Sequence, residues 1–275
     1  MSQESQELRT LPANTDNSTF IHFFGIRRSG NHAVIHWLLE GLRCDGEHSV
    51  MHINNVAEDP PSGPLPERQP VNIKREVARL QPDFVILSYE DRTVTDRHNL
   101  EHRRIFSNDR DQELVLLRSF PNMMASQIQR RRNVIAEGRL DRPILRLGLV
   151  AIRNIWIENA QAIRDANDNK LTGILFDKWF TDRSYRDEIG KRVGFTNTDS
   201  GLNHIPDLPG VGGSSFDGTS FQDRGQEMPV LDRWSMFTKN EKNRALYIPL
   251  VNSKVIELSL ALFGSDPSLE ALEAS

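Results

Sequence analysis

Residues 19–42 constrain the fold of this chain more than any other stretch of the sequence. The stretch begins with an apolar run, passes through a turn bounded by Gly25 and Gly30, and continues with apolar residues at helical spacing. This pattern predicts a strand, a tight turn and a helix. The first backbone N–H groups of such a helix have no partner within it, and the helix dipole favours negative charge there. The stretch therefore predicts an anion-binding loop at a strand-to-helix junction.

The predicted turn carries two cationic side chains as well as backbone donors. Arg27 and Arg28 supply charge-assisted donors that suit phosphate or sulfate oxygens. The glycine spacing matches the first half of the nucleotide-binding P-loop, but Asn31 and His32 stand where that motif has Lys and Ser or Thr. We therefore expect the loop to bind a phosphate without hydrolysing ATP or GTP. The alternative interpretation is a plain strand-to-helix turn with surface arginines.

Composition narrows the class of protein. The 275 residues suit one large α/β domain, and the net charge of −4 argues against a general nucleic-acid binder, so an anion site must be a local cluster. The single cysteine, Cys44, excludes an intrachain disulfide and a Cys-rich metal site. No apolar run approaches the length of a membrane span, and the polar N-terminus lacks the order of a signal peptide. We expect a cytoplasmic protein with no membrane partner; its oligomeric state is not predicted.

The rest of the chain predicts alternating strands and helices in one domain. We predict a flexible arm over residues 1–18, the domain over 19–265 and a tail over 266–275. After the first strand, buried strands are predicted at residues 83–89, 113–117 and 171–176. Helices are predicted at residues 71–81, 120–134, 147–166, 185–193 and 253–263. Proline-rich residues 44–70 and glycine-rich residues 195–228 are predicted to be loops. Four strands separated by helices predict a three-layer α/β fold, a parallel sheet flanked by helices.

Ligands of such sheets bind beyond the carboxyl ends of the strands. The four predicted strand ends all carry charged residues: Arg27 and Arg28, Glu90 and Asp91, Arg118, and Asp177 and Lys178. Because these ends lie at one edge of a parallel sheet, the sequence predicts a single shared site there.

Two motifs together resemble the sulfotransferases that use 3′-phosphoadenosine 5′-phosphosulfate (PAPS). Residues 28–32, Arg-Ser-Gly-Asn-His, are similar to the family's first motif, [KR]-S-G-[TS]-[TS]. Arg118 at a strand end, with Ser126 eight residues later on a helix, matches the spacing of the second. Residues 213–217 are similar to a T-S-F-D segment, and residues 224–225 and 233–237 resemble the later R-K-G and W-x-x-x-F elements. The resemblance spans about residues 19–240.

The chain departs from this family at three points. Asn31 and His32 replace two hydroxyl residues, and the R-K-G element lacks its Lys after Arg224. No segment matches the His-containing one that supplies the base in the cytosolic small-molecule enzymes.

The resemblance implies a P-loop NTPase-like sulfotransferase fold and transfer of a sulfuryl group from PAPS. The acceptor would be a hydroxyl, or as second choice an amine, of a small molecule or carbohydrate. The first motif would hold the 5′-phosphosulfate, the second the 3′-phosphate, and the third would lie near the adenine. The implied PAPS-binding residues are Arg27, Arg28, Ser29, Gly30, Asn31, His32, Arg118, Ser126, Ser215, Phe216, Arg224 and Gly225.

The chemistry of such a transfer assigns three catalytic candidates. The leaving group is a stable phosphate, so cationic side chains can replace a metal, and no metal is expected. Arg28 would stabilise charge on the bridging oxygen, and His32 would donate a hydrogen bond beside it. Glu90 is the first choice for the general base, with His32, His36 and His52 as rivals. Two alternatives stay open: a P-loop kinase or NTPase-like enzyme, and a non-catalytic binder of a phosphorylated adenine nucleotide.

Overall fold

A computed structural model describes residues 17–44, 46, 48–56, 70–96, 103–136, 142–167, 170–203, 216–217, 220–221, 223–264 and 269. Within these residues five strands form a sheet in the order β2-β3-β1-β4-β5, and all neighbouring strands are parallel. The strands are β1 Thr19–Gly25, β2 Val50–Ile53, β3 Phe84–Glu90, β4 Gln112–Leu117 and β5 Leu171–Leu175.

Helices cover both faces of the sheet. They are α1 Asn31–Arg43, α2 Pro70–Leu80, α3 Phe120–Ala136, α4 Arg142–Asp165, α5 Phe176–Thr181, α6 Arg183–Val193, α7 Arg233–Thr238, α8 Glu241–Tyr247 and α9 Ser253–Phe263. Among the described residues, no single helix combines the length and apolar character of a membrane span. In the described part of the chain, one helix pair, Glu241–Leu250 and Ser253–Phe263, bent by 91°, meets that test jointly, by length and composition alone.

The sheet is buried on both sides because alternate residues of each strand project to opposite faces. In β1, Ile21 and Phe23 pack in the cluster that contains α1, whereas Phe20 and Phe24 pack in the cluster that contains α2. A sheet covered on both faces needs apolar residues at successive positions, which explains the continuous apolar runs of the sequence. The predicted three-layer α/β fold with a parallel sheet is confirmed.

Central strand β1 fixes the position of the loop that follows it. Gly25, its last residue, is paired with Glu90 of β3 on one side and with Leu116 of β4 on the other. The loop therefore leaves the sheet between the carboxyl ends of β3 and β4. This is the place where ligands bind in open parallel sheets.

Several predicted elements need correction. The described residues form five strands, not four, because β2 lies within residues 44–70, which were predicted to be a loop. β2 has only four residues, pairs on one side only and has three partly exposed residues, so no buried apolar run marks it. Phe176 begins α5 instead of ending β5, and α4 begins at Arg142, five residues before its predicted start. α7 and α8 were not predicted.

We predict that Gly30→Ala destabilises the protein more than Gly194→Ala. Both glycines have nearly the same left-handed backbone, with φ and ψ of 100° and 17° at Gly30 and 108° and 24° at Gly194. An added Cβ would lie 2.2 Å from the Phe176 ring at Gly30 but would meet nothing within 4 Å at Gly194. Each alanine costs about 1–2 kcal/mol for its left-handed conformation. Gly30→Ala adds about 1–3 kcal/mol for the clash.

The free energy of unfolding in urea measures this difference, with Gly194→Ala as the matched control. Equal losses in the two variants would contradict the packing of Phe176 against the loop.

Candidate functional site

The loop between β1 and α1 closes as a tight turn. The Ser29 N–H donates to the Ile26 carbonyl at 3.1 Å, and both Arg28 (φ 72°) and Gly30 (φ 100°) are left-handed. A left-handed arginine is strained, and such strain clusters at functional sites. The backbone of Arg28 thus occupies a position that glycine would adopt more easily, which favours a role for its side chain.

The start of α1 presents donors to this loop. The Val34 N–H makes the first i→i−4 bond of the helix, to the Gly30 carbonyl at 3.1 Å. The N–H groups of the three preceding residues have no i→i−4 partner in the helix. The Ser29 side chain is 1% exposed, and its Oγ has no hydrogen-bond partner. A buried hydroxyl without a partner is rare, so Ser29 Oγ fits a site for an anionic oxygen.

Two residues predicted to bind the anion fasten the loop to the end of β3. The Arg27 Nε donates to Glu90 Oε2 at 2.9 Å, and the Arg27 N–H donates to Asp91 Oδ1 at 2.8 Å. The Asn31 Nδ2 donates to the Gly25 carbonyl at 3.3 Å and to Glu90 Oε1 at 3.4 Å. Burial raises the pKa of the Asp91 carboxyl despite its contact with Arg27. These side chains therefore hold the shape of the loop.

The Arg118 side chain connects the loop with the end of β4. It is 2% exposed, its Nη1 donates to the Arg28 carbonyl at 3.2 Å, and its Nη2 donates to the Val230 carbonyl. The guanidinium lies over the Phe176 ring at 5.1 Å, while its Nε is buried without a hydrogen-bond partner. The two predicted anion-binding positions, the loop and the end of β4, are therefore in direct contact.

Several arginines share this small region. Burial, followed by the charge of Arg233, lowers the pKa of Arg118 to about 9. Burial and then Arg130, with a smaller effect of Arg233, lower the pKa of Arg28 to about 10. Both guanidinium groups are still protonated at neutral pH. Like charges held together with little water are unfavourable unless an anion offsets them, so the cluster has the electrostatics of an anion site.

Arg233 is the residue that sequence reasoning missed. It lies at the start of α7, pairs with Asp217 at 2.9 Å and stacks on the Phe216 ring at 5.2 Å. Asn122 of α3 holds this segment, because its Oδ1 accepts from the Trp234 N–H at 3.2 Å. The sequence pattern included Arg233 only as part of the loosely matching element at residues 233–237. No signal in the sequence indicated that its charge would act on Arg28 and Arg118.

The other predicted residues are placed as follows. Ser126 is fully buried in α3 and donates to the Asn122 carbonyl at 3.0 Å, a bond that a phosphate would have to replace. Arg224 lies at the surface, paired with Glu227 at 3.1 Å, and Gly225 is buried in a short turn. Ser215 lies outside the described residues. Their contacts with a nucleotide stay predictions.

A carboxylate at the end of β5 completes the edge of the sheet. Asp177 accepts from the Ser119 N–H at 2.9 Å and from the Ser119 Oγ at 2.7 Å, so it joins the ends of β4 and β5. Its charge raises the pKa of Arg118 and thereby offsets part of the effect of burial. Among the described residues, no group of three or more His, Cys, Asp or Glu side chains could hold a metal ion.

No family model matches this chain, and no curated protein matches it. Six chains of solved structures are similar to it, and two of them are as follows. The sulfotransferase domain of the olefin synthase of Synechococcus PCC 7002 is 17% identical with a TM-score of 0.52, covering 94% of this chain and 98% of that domain. This chain has a sulfotransferase fold. Mouse sulfotransferase SULT7A1, solved in complex with PAP, is 11% identical with a TM-score of 0.48, covering 99% and 94%, and at that score it supports no further conclusion.

The sulfotransferase fold of this chain also places a cleft of about 490 Å³ beside β2. His52 of β2 lines it, and the Nε2 of its ring is buried without a hydrogen-bond partner. Burial, followed by the charges of His32 and Arg43, lowers the pKa of His52 to about 4. The imidazole is therefore neutral at physiological pH. His32 lies at the start of α1, within electrostatic range of this ring.

We predict that His52 makes stability fall as the solution becomes acidic. The folded chain keeps His52 neutral down to about pH 4, whereas the unfolded chain protonates it at its ordinary value of 6.5. The unfolded state therefore binds more protons below pH 6.5, and this stability is lost as pH falls. Between pH 6.5 and 5 wild type should lose about 1.5 kcal/mol more than His52→Gln, measured by urea unfolding. Parallel losses in the two proteins would contradict the lowered pKa.

Proposed function

We propose that the protein is a sulfotransferase that moves a sulfuryl group from PAPS to a hydroxyl of an acceptor. The observation that carries the proposal is the meeting of Arg28, Arg118 and Arg233 beside the start of α1. A donor with a phosphosulfate at one end and a phosphate at the other needs two neighbouring cationic binding sites. The contact of Arg118 with the loop backbone supports such a pair of sites.

Two buried atoms support the fit of an anionic donor. Ser29 Oγ and Arg118 Nε have no hydrogen-bond partner, and each can donate to an anionic oxygen. Ser29, Arg28 and the first N–H groups of α1 would hold the phosphosulfate end. Arg118 and Arg233 would hold the 3′-phosphate. PAPS, when bound, supplies an activated sulfuryl group.

The residues of the loop would act by position and charge. Arg28 would stabilise the negative charge that the leaving phosphate gains, as charge stabilisation is the main effect in such transfers. Arg27 and Glu90 would keep the loop in place through their ion pair. Glu90 as general base stays a prediction; its carboxylate already accepts hydrogen bonds from Arg27 and Asn31.

One observation favours a second candidate, a non-catalytic binder of the nucleotide. The carboxylate predicted as the base is engaged in an ion pair with Arg27. The kinase or NTPase alternative is less favoured, because Asn31, at the position of the catalytic Lys, donates its side-chain amide to Gly25 and Glu90.

We predict that the cationic cluster binds adenosine 3′,5′-bisphosphate. Calorimetric titration of Arg28→Ala and Arg233→Gln should show affinity about 10- to 100-fold weaker than wild type, since each loses a charge-assisted hydrogen bond. Arg164→Ala is the matched control, because this arginine pairs with Asp165 and Glu257 at the end of α4. It should bind as wild type does. Undiminished affinity in both site variants would remove the basis of the proposal.

We predict transfer of radiolabelled sulfate from PAPS to an acceptor in a pool of metabolites, and no turnover of ATP with magnesium. Nucleotide binding without any transfer would favour the non-catalytic binder. Turnover of ATP would favour the kinase or NTPase alternative.

A further inference from the structure

The loop after β1 contains a residue whose backbone is strained. Arg28 has a φ of 72°, in the left-handed region that a residue with a side chain adopts only at a cost. Such a residue keeps this conformation where the surrounding structure holds the peptide units on both sides of its Cα. One of these units contains the Arg27 carbonyl, and the other contains the Arg28 carbonyl and the Ser29 N–H. The partners of these groups therefore determine how Arg28 is held.

Arg118 holds the peptide unit that follows Arg28. Its Nη1 donates to the Arg28 carbonyl at 3.2 Å, and the Ser29 N–H of the same unit donates to the Ile26 carbonyl at 3.1 Å. Because a peptide unit is planar, bonds to both of its polar groups fix its orientation. This side of Arg28 is therefore fixed from β4 and from within the loop.

Gln127 holds the peptide unit that precedes Arg28. This residue of α3 is 2% exposed, and its Nε2 donates to the Arg27 carbonyl. The Arg27 N–H, one peptide unit earlier, donates to Asp91 Oδ1 at 2.8 Å. Side chains from three elements, at the end of β3, at the end of β4 and in α3, thus hold successive groups of the loop backbone. Gln127 is the one that acts directly before the strained residue.

Arg131 determines which end of the Gln127 amide faces the loop. It lies four residues further along α3, on the same side of the helix, and its Nη1 donates to Gln127 Oε1. A guanidinium can only donate, so the amide oxygen faces Arg131 and the amide nitrogen is left to donate to the Arg27 carbonyl. The hydrogen bonds therefore run in one direction, from the guanidinium through the amide to the loop.

We propose that Gln127 is a positioning residue for Arg28: by holding the Arg27 carbonyl, it keeps the left-handed backbone from relaxing and so fixes the direction in which the Arg28 side chain leaves the loop. The proposal rests on the proposed function, in which Arg28 binds the 5′ end of the donor. Gln127 acts through the backbone of the loop and not by a contact with the nucleotide. Without this bond, the peptide unit before Arg28 can rotate toward a conformation that arginine adopts more easily.

The effect of Gln127 should be confined to one end of the nucleotide. In the proposed function Arg28 binds the 5′ end, whereas Arg118 and Arg233 bind the 3′-phosphate. Loss of the Gln127 amide leaves the bond from Arg118 Nη2 to the Val230 carbonyl in place. Adenosine 3′,5′-bisphosphate should therefore respond to a substitution of Gln127, and adenosine 3′-phosphate should not. A general loosening of the site would weaken the binding of both nucleotides.

Two variants of Gln127 address the inference. Gln127→Met keeps an unbranched side chain but removes the donor, and Gln127→Asn keeps the amide but shortens its reach by one methylene. If Gln127→Met fails to fold, Gln127→Asn carries the test. The matched control is Gln161→Met, which changes a half-buried glutamine of α4 three residues before Arg164. Each variant is made in wild type and in Arg28→Ala, and urea unfolding establishes that it is folded. Affinities for both nucleotides are measured by calorimetry, with displacement of the bisphosphate for the weaker ligands.

We expect Gln127→Met and Gln127→Asn to bind adenosine 3′,5′-bisphosphate about tenfold more weakly than wild type, the loss for about one charge-assisted hydrogen bond. Their affinity for adenosine 3′-phosphate should stay within about twofold of wild type. In the Arg28→Ala background the same substitutions should change the affinity for the bisphosphate by less than about twofold, because the side chain that Gln127 positions is already absent. Gln161→Met should match its parent in both backgrounds.

Three results would overturn the inference: undiminished affinity for the bisphosphate in both Gln127 variants, an equal loss for the two nucleotides, or a loss as large in Arg28→Ala as in wild type. The last two results would mean that Gln127 supports the fold of the site and not the position of Arg28. Failure of wild type to bind adenosine 3′,5′-bisphosphate would instead overturn the proposed function, so the two failures are distinguishable.

Discussion

The buried guanidinium of Arg118 is the interaction on which the rest of the site depends. It donates to the backbone carbonyls of Arg28 and Val230, and the Arg118 carbonyl in turn accepts from the Trp156 side chain at 2.9 Å. One side chain therefore joins the β1 loop, the end of β4 and the segment before α7. Burying a charge is costly unless hydrogen bonds and counter-ions offset it, and the two carbonyls and Asp177 supply that offset here.

The carboxylates around the arginine cluster determine how much of its positive charge is left without a counter-ion. Asp217 pairs with Arg233, and Glu90 pairs with Arg27, whereas Arg28 gains only part of its stabilisation from Glu90. A bound anion would relieve the repulsion among the guanidinium groups that these carboxylates leave. Anion binding and the stability of the folded chain should therefore be coupled, because a ligand that binds only the folded state stabilises it. The cluster therefore holds unfavourable electrostatic energy that a bound anion would offset.

The parts of this fold that could be predicted from the sequence are those that depend on patterns of neighbouring residues. Strand β1, the turn after it and Arg118 at the end of β4 lie where the sequence predicts them, and His22 was correctly placed in the core, where its ring bonds to the Tyr89 hydroxyl at 3.0 Å. Side-chain direction was not predictable, since the pattern does not reveal whether an amide such as that of Asn31 faces a ligand or the backbone of Gly25. Strand β2 and the return of Arg233 depend on long-range pairing, which leaves no periodic signal.

The same electrostatics decides which kind of base can work beside so many cations. A carboxylate in this region is drawn into an ion pair, as Glu90 is with Arg27, and protonating it would weaken that ion pair. Burial keeps the His52 imidazole neutral and lowers its pKa to about 4, so the free ring is a weak base. An anionic donor bound at the loop would favour the protonated ring and so raise the pKa of His52 toward neutrality.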